Sequence, residues 1–174
     1  MSLILSKSLM LVTATLLAVA YQADAAQQDD VQFEKLPTQN YQSFVKNWDE
    51  KRTPVLCALI HDRSNWDAIM GTAETMTKRK QIFGPDPSIY ISNDLLIVSK
   101  VSVAPQHGGS TLRLNRVVSK NGDLSLYYTY TRPKHPTSFS IKDYFAIAVP
   151  KQVMEAAHSI RIFEGDRAVC SLKP

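Results

Sequence analysis

Short apolar or alternating segments, separated by breaker residues, dominate this chain. Five of them have the length of a strand and are rich in β-branched, leucine or aromatic residues, namely 55–60, 95–103, 111–118, 123–131 and 143–149. Asn121-Gly122 lies between two of these segments and is typical of a two-residue hairpin, because a type I′ turn needs a positive φ at both central residues. A last hairpin is predicted over 160–172, with its turn at Gly165.

This succession of short strands and turns predicts one all-β domain over 31–174. Its architecture is expected to be an antiparallel β-sandwich or a barrel-like sheet with one short helix. The run 55–60 is apolar without interruption, which is typical of a buried strand, and 31–34 alternates as an edge strand would. In 123–131, the alternation of Leu124, Leu126, Tyr128 and Tyr130 with smaller polar residues predicts one buried face.

The single helix is expected to begin near Ser64, whose hydroxyl can cap the first turn, and to end at Gly71. Residues 38–50 combine helical spacing of apolar residues with β-favouring types, which leaves helix and strand open and slightly favours extended structure. Residues 72–87 lack periodicity and are expected to form an exposed loop. This loop contains Lys78-Arg79-Lys80, for which solvation is favoured over the binding of an acidic partner.

The first 25 residues have the pattern of a secretory signal peptide. A charge at Lys7 precedes the apolar stretch 9–20, and Ala23-Asp24-Ala25 provides small residues before a cut after Ala25. The apolar stretch is shorter than the ~20 residues that a membrane span needs, so a retained anchor is the less favoured alternative. We therefore expect a periplasmic or secreted protein without stable membrane insertion, in which 26–30 form a short disordered leader.

Export changes the interpretation of the only two cysteines, Cys57 and Cys170. In an oxidising compartment a disulfide is favoured over a metal pair or a redox couple, with two buried free thiols as the alternative. The bridge would join the first long strand to the last one. The net charge of +4 is spread over mixed-sign segments, which excludes the clustered footprint of a nucleic-acid-binding domain.

Catalytic and metal sites have weak sequence support. The four histidines lack the short spacings of zinc sites, although His107 and His135 both lie in turns and could meet at one end of a sandwich. Ser–His chemistry would need His107 with Ser110, or His61-Asp62 with Ser64. Gly108-Gly109-Ser110 lacks the strained G-x-S-x-G form of an activated serine, so we expect neither an enzyme nor a bound metal or cofactor.

The order of the segments resembles that of a known family. The residues that carry the resemblance are 31–36, the apolar strand ending at Ile60, Ser64-Asn65-Trp66-Asp67, 93–98, Gly108-Gly109, 111–118, Asn121-Gly122-Asp123-Leu124 and 144–151. This layout resembles the C-terminal domain family of PrcB-type protease-complex subunits, which are small exported bacterial β-domains. Ser110 stands where that family commonly has an aromatic residue. The resemblance implies an accessory domain that binds or stabilises another exported protein, a protease among the candidates, without chemistry of its own.

The sequence therefore predicts a non-enzymatic exported binding domain. The expected contact residues are His107, Gly108, Gly109 and Ser110 in one flexible loop, with Tyr127 and Tyr144 as aromatic contacts. The alternative function is that of a small-molecule or glycan-binding periplasmic β-domain. Its binding surface would be formed by the tyrosines Tyr127, Tyr128, Tyr130 and Tyr144.

Overall fold

The computed structural model of the protein describes residues 29–72 and 82–174. The predicted signal peptide and the Lys78-Arg79-Lys80 segment lie outside these residues. The strands are β1 (Asp29–Asp30), β2 (Glu34–Lys35), β3 (Ser43–Val45), β4 (Val55–Ile60), β5 (Met70–Thr72), β6 (Asn93–Pro105), β7 (Leu112–Lys120), β8 (Asp123–Tyr130), β9 (Pro136–Pro150), β10 (Ser159–Glu164) and β11 (Arg167–Leu172). The helices are α1 (Arg63–Ile69), α2 (Ile89–Ser92) and α3 (Lys151–Glu155), and a 3₁₀ turn covers Thr38–Asn40.

Two sheets form a sandwich. Sheet A has the strand order β1-β7-β8-β10-β11 and sheet B has the order β2-β9-β6-β4, while β3 and β5 form a separate small pair. The sheets do not close into a barrel, so the sandwich alternative of the sequence prediction is confirmed. All pairs are antiparallel except β8 with β10, which run parallel and are connected through β9 and α3.

The inner part of sheet B is buried on both faces. Alternate residues of β4, β6 and β9, such as Leu96, Val98 and Phe145, pack against sheet A in the main core. The residues between them, such as Ile97 and Ala146, pack against a cap formed by residues within 36–53, 61–72 and 82–92. A strand between two apolar layers is expected to be apolar at nearly every position. This explains the continuous run 55–60, whose prediction as a buried strand is confirmed.

The cap consists of short elements around two tryptophans. Trp48 and Trp66 are both buried; the Trp48 indole N–H donates to the Thr53 carbonyl at 2.8 Å, and the Trp66 indole N–H donates to that of Phe83 at 3.3 Å. Residues 38–50, for which the sequence left both helix and strand open, contain a 3₁₀ turn followed by the short strand β3. Two helices, α2 and α3, are additional to the one predicted.

The predicted helix exists, but its ends differ from the expectation. Its N-cap is Asp62 rather than Ser64, and the Asp62 carboxylate accepts from the Asn65 amide at 2.7 Å. An aspartate fills the cap position as well as a serine does. Gly71 does not end the helix; it lies in β5, where an added Cβ would come 2.6 Å from the Phe44 ring. This glycine therefore allows close packing of β3 on β5.

The β7–β8 hairpin follows its sequence pattern. Asn121 and Gly122 have φ values of 52° and 77°, as a type I′ turn requires. Leu124, Leu126 and Tyr128 are buried between the sheets and Tyr130 packs against them, which confirms the predicted apolar face of β8.

The N-terminal segment crosses from one sheet to the other. Asp29 and Asp30 pair with Ser119 and Val118 of β7, whereas the sequence places both aspartates in a disordered leader. The structure corrects that boundary, because backbone pairing with an edge strand holds these polar residues without burying them. The expected edge strand 31–34 is divided, since only Glu34 of it lies in a strand, β2, which pairs with β9.

The disulfide prediction is confirmed. Cys57 on β4 is bonded to Cys170 on β11, with a sequence separation of 113. These two strands are edges of opposite sheets, and they lie on the side away from the β1–β2 crossing. One side of the sandwich is therefore closed by the chain and the other by a covalent bond.

A partly buried ion pair also joins the sheets. The Lys100 ammonium on β6 lies 2.6 and 2.7 Å from the two carboxylate oxygens of Glu164 on β10. The Tyr128 hydroxyl donates to the same carboxylate at 3.1 Å. Burial by itself raises the pKa of Glu164, but the hydrogen bonds and charge of Lys100 outweigh it and hold the pKa below its ordinary value of 4.5.

Removal of the disulfide is expected to lower stability substantially. In the chain-entropy account, a bridge over more than a hundred residues contributes about 4–5 kcal/mol. The double variant Cys57→Ala/Cys170→Ala should lose about that free energy of unfolding in urea titrations, and reduction of the wild type should have a similar effect. Two free thiols in the non-reduced, denatured exported protein would contradict the bridge.

Replacement of Glu164 is expected to destabilise the sandwich in a pH-dependent manner. Glu164→Gln leaves the Lys100 ammonium without its counter-charge and should cost about 1.5–3 kcal/mol at neutral pH. Because the pKa of Glu164 is lowered by folding, its stabilisation is present above pH 4.5 and is lost as the pH falls through the folded-state value. Urea titrations should show the two proteins converging in acid, with exposed Glu155→Gln as the control. An equal difference at all pH values would contradict the ion pair.

Candidate functional site

The strands β6 and β9 extend beyond the end of sheet A. Their pairing continues to Pro105 opposite Pro136, whereas Thr111, just before β7, already lies against Asp143 in the middle of β9. The outer part of this ribbon therefore has no strand of sheet A facing it. We call residues 106–110 and 135–140 the ribbon tip.

The ribbon tip exposes one large apolar side chain. Phe139 is 58 % exposed. Its register puts it on the face of β9 that is turned toward sheet A, but in the part of the ribbon that extends beyond the end of sheet A. Residues 106–110 are all exposed as well. Gly108 and Gly109 have φ values of 74° and 98°, and nothing lies within 4 Å of a Cβ added to either, so backbone conformation rather than space requires glycine there.

The two turn histidines, His107 and His135, meet at the tip, at one end of the sandwich. The rings of His107 and His135 lie edge to face, with their centroids 6.2 Å apart, and the Gln106 amide donates to the His135 carbonyl at 3.0 Å. Within 29–72 and 82–174, no group of three His, Cys, Asp or Glu side chains is placed to hold a metal ion. The histidine pair contributes two adjacent rings with hydrogen-bonding nitrogens to an exposed surface.

Asp143 fixes the base of the loop. Its Oδ2 atom accepts hydrogen bonds from the Thr111 amide at 2.6 Å, the Thr111 hydroxyl at 2.8 Å and the Ser110 hydroxyl at 3.0 Å. The Ser110 oxygen also accepts from the Leu112 amide at 3.1 Å. These contacts are those of a loop anchor, which holds the exposed glycines and His107 on a defined base.

In the second serine–histidine set, His61-Asp62 with Ser64, the hydrogen bonds of His61 and Asp62 are those of a helix start. Asp62 caps α1, and the Asn65 side chain accepts from the His61 amide at 3.2 Å. The His61 imidazole lies 3.2 Å from the Asp94 carboxylate. In neither set do the described contacts join a serine hydroxyl to a histidine.

The two tyrosines expected at a contact surface are separated by the sandwich. Tyr144 lies on the cap side of sheet B and is only 9 % exposed, with its hydroxyl 2.9 Å from the Ser43 hydroxyl. Burial raises its pKa, although the hydrogen bond of Ser43 acts in the opposite direction. With Gly109 and Ser110 it lines a cleft of about 220 Å³ below the tip, so it supports the site but offers no exposed ring.

Tyr127 lies on the solvent side of sheet A. It stands in one cross-strand row with Arg116 on β7 and Phe163 on β10. The Tyr127 and Phe163 rings are stacked, with centroids 4.8 Å apart and planes at 11°, and the Arg116 guanidinium lies 4.6 Å from the Tyr127 centroid. This row is separate from the ribbon tip, because it lies on the outer face of sheet A, whereas β9 and the tip lie on the side of the inner face.

Sequence reasoning missed Phe139, Phe163 and Asp143 as site residues. The alternation of Thr137, Phe139 and Ile141 with serines and a lysine has the period of a strand and could have extended β9 toward its true start. For Asp143, the signal is three-dimensional, because its partners lie 32 and 33 residues away.

Loosening of the anchor should change the loop without unfolding the domain. Asp143→Ala removes the acceptor of three hydrogen bonds, leaves the Thr111 amide unsatisfied and should cost about 1–3 kcal/mol. Hydrogen exchange should become faster at Thr111 and Leu112, while the amides of β4 keep their protection. Asp166→Ala, in the exposed β10–β11 turn, is the control. Unchanged exchange at Thr111 would contradict the anchor.

No helix in the described part of the chain is long and apolar enough to span a bilayer. Comparison of the chain with protein-family models, curated proteins and solved structures found no match.

Proposed function

We propose that this protein is an exported, non-enzymatic accessory domain that binds or stabilises another envelope protein through its ribbon tip. The observation that carries the proposal is the exposed Phe139 on a ribbon whose base is fixed by Asp143. Aromatic residues, phenylalanine among them, are enriched in protein interfaces, where a few anchoring side chains carry most of the binding energy. Proteins also place binding residues on loops that a rigid scaffold positions.

The proposed location is the periplasm or the extracellular space. The Cys57–Cys170 disulfide supports it, because such bonds form and persist in oxidising compartments. The signal-peptide pattern of residues 1–25, with a cut after Ala25, supports it independently from the sequence.

The composition of the tip favours a protein as the partner. Phe139 offers an apolar contact, His107 and His135 offer rings with hydrogen-bonding nitrogens, and Gly108 and Gly109 leave their backbone groups accessible to a partner. Aromatic residues at the centre of a patch and polar groups at its rim are characteristic of protein interfaces. The resemblance to the PrcB-type family, whose paired glycines correspond to Gly108-Gly109, makes an exported protease one candidate partner.

The proposal is tested by photo-crosslinking from the tip in the native envelope. A photoreactive amino acid at the exposed Ser138 should give a specific cross-linked protein in cells that export the tagged chain. Phe139→Ala should reduce the yield of that product by about tenfold or more, as expected for the loss of an interface anchor. Ile91→Ala is the matched control, because Ile91 is 79 % exposed but lies in α2, at the opposite end of β6.

Both variants should retain the wild-type melting temperature, since both side chains are exposed. A product that survives Phe139→Ala, or that is lost equally with Ile91→Ala, would contradict recognition through the tip. Absence of any cross-linked protein would contradict a protein partner altogether.

A further inference from the structure

The outer surface of sheet A carries a groove that the proposed tip interaction does not use. Three cross-strand rows make this surface: Arg116, Tyr127 and Phe163 in the first, Val118, Ser125 and Arg161 in the second, and Lys120, Asp123 and Ser159 in the third. The groove has a volume of about 360 Å³ and lies over the small Ser125, between the two rings and the Lys120-Asn121 corner.

The rings of the first row present their edges to the groove. Tyr127 and Phe163 stand on neighbouring strands and stack face to face, and Arg116 lies against the remaining face of Tyr127. The edge of an aromatic ring carries the positive part of its quadrupole. This wall of the groove therefore attracts negative charge rather than a cation.

The face of the Phe163 ring that is turned away from Tyr127 lies toward β11. The residue opposite Phe163 on β11 is Ala168, whose methyl group is too small to cover a phenyl ring. Within the described residues, Tyr127 is the only ring recorded against Phe163. A flat ligand with C–H groups, such as a sugar ring, can stack on this face.

The charges of the surface have one dominant sign. Arg113, Arg116, Lys120 and Arg161 project from it, Asp123 is the acidic residue in the groove, and Asp30, paired with Val118, adds a second carboxylate at the β1 edge. Asp123 accepts from the Ser159 hydroxyl at 2.7 Å and from the Arg161 guanidinium at 2.7 Å. The Asp123 carboxylate is thus paired with Arg161 and holds its guanidinium in place. A guanidinium has several N–H donors, so some remain for a ligand.

We propose that the outer surface of sheet A binds an acidic polysaccharide, with a sugar carboxylate between Lys120 and Arg161 and a sugar ring against Phe163. The charge complementarity selects an anionic ligand, and the hydroxyl and amide groups of Ser125, Asn121 and Tyr127 suit one rich in hydroxyls. The groove crosses three strands and is open to solvent, which suits an extended chain rather than an enclosed small molecule. This interaction is independent of the proposed protein partner.

The test uses the purified mature protein and an oligogalacturonate, with a neutral malto-oligosaccharide of equal length as the matched probe. The acidic probe should shift the amide resonances of β8 and β10 and give a saturable isotherm by calorimetry, whereas the neutral probe should not. Lys120→Gln and Phe163→Ala should each weaken binding by about tenfold. Lys51→Gln, an exposed lysine on the cap side of sheet B, should leave the affinity unchanged.

Four outcomes would overturn the proposal: no saturable binding, equal binding of the neutral probe, equal loss with Lys51→Gln, or full competition by inorganic phosphate at a similar concentration. The last would indicate a simple anion site. Phe163→Ala removes one ring of the stacked pair and can disturb sheet A itself. In that case the result with Lys120→Gln is decisive, because the exposed Lys120 side chain has no part in the stack. Phe139→Ala should bind the acidic probe normally, so failure at this surface and failure at the tip are distinguishable.

Discussion

The antiparallel pairing of β6 with β9 is the constraint on which the rest of the structure depends. These are the two longest strands, they are the centre of sheet B, and their shared ladder runs from Asn93–Pro150 to Pro105–Pro136. In its inner half, both faces of the ladder are covered, by sheet A on one side and by the cap on the other. Its outer half passes sheet A and becomes the ribbon tip. The longest ladder of the described structure thus continues directly into the surface proposed to bind a partner.

The two sheets are held together at their edges as well as through the core. On one side, the chain itself crosses from β1 to β2, and on the other the Cys57–Cys170 bond joins β11 to β4. The Lys100–Glu164 pair adds a polar contact between β6 and β10 near the base of the tip. With both sides closed, the sheets cannot slide apart, and Asp143 can hold the loop before β7 at a constant distance from β9. This arrangement explains how a loop with two unconstrained glycines has a defined base.

The parts of the fold that depend on local chemistry could be predicted from the sequence. The Asn121-Gly122 turn follows from its φ requirement, and the run 55–60 reveals a strand covered on both faces. The first half of β9 was missed, because Pro136 and the serines around Phe139 have the composition of a loop. Only the alternation of Thr137, Phe139 and Ile141 signals a strand there, and that strand forms by pairing with β6, more than thirty residues away.

The candidate site shows the same division. The loop His107–Ser110 was recognisable from its glycines and its position between strands. Alternation placed Tyr127 and Tyr144 on strand faces, but it could not tell which face a further layer covers. The cap buries Tyr144, whereas within 29–72 and 82–174 no further sheet or helix layer packs on the face of sheet A that carries Tyr127. Partners that are distant in sequence, such as Asp143 for Thr111 and Phe163 for Tyr127, are a property of the topology.

The central claim is that the ribbon formed by β6 and β9 carries the partner-binding surface at its outer end. Hydrogen exchange of the mature protein, alone and in complex with the partner cross-linked from the tip, tests it most directly. The account predicts that complex formation slows exchange in 106–110 and 137–140 and leaves the outer surface of sheet A unchanged. Protection confined to β8 and β10, with unchanged exchange at the tip, would contradict it.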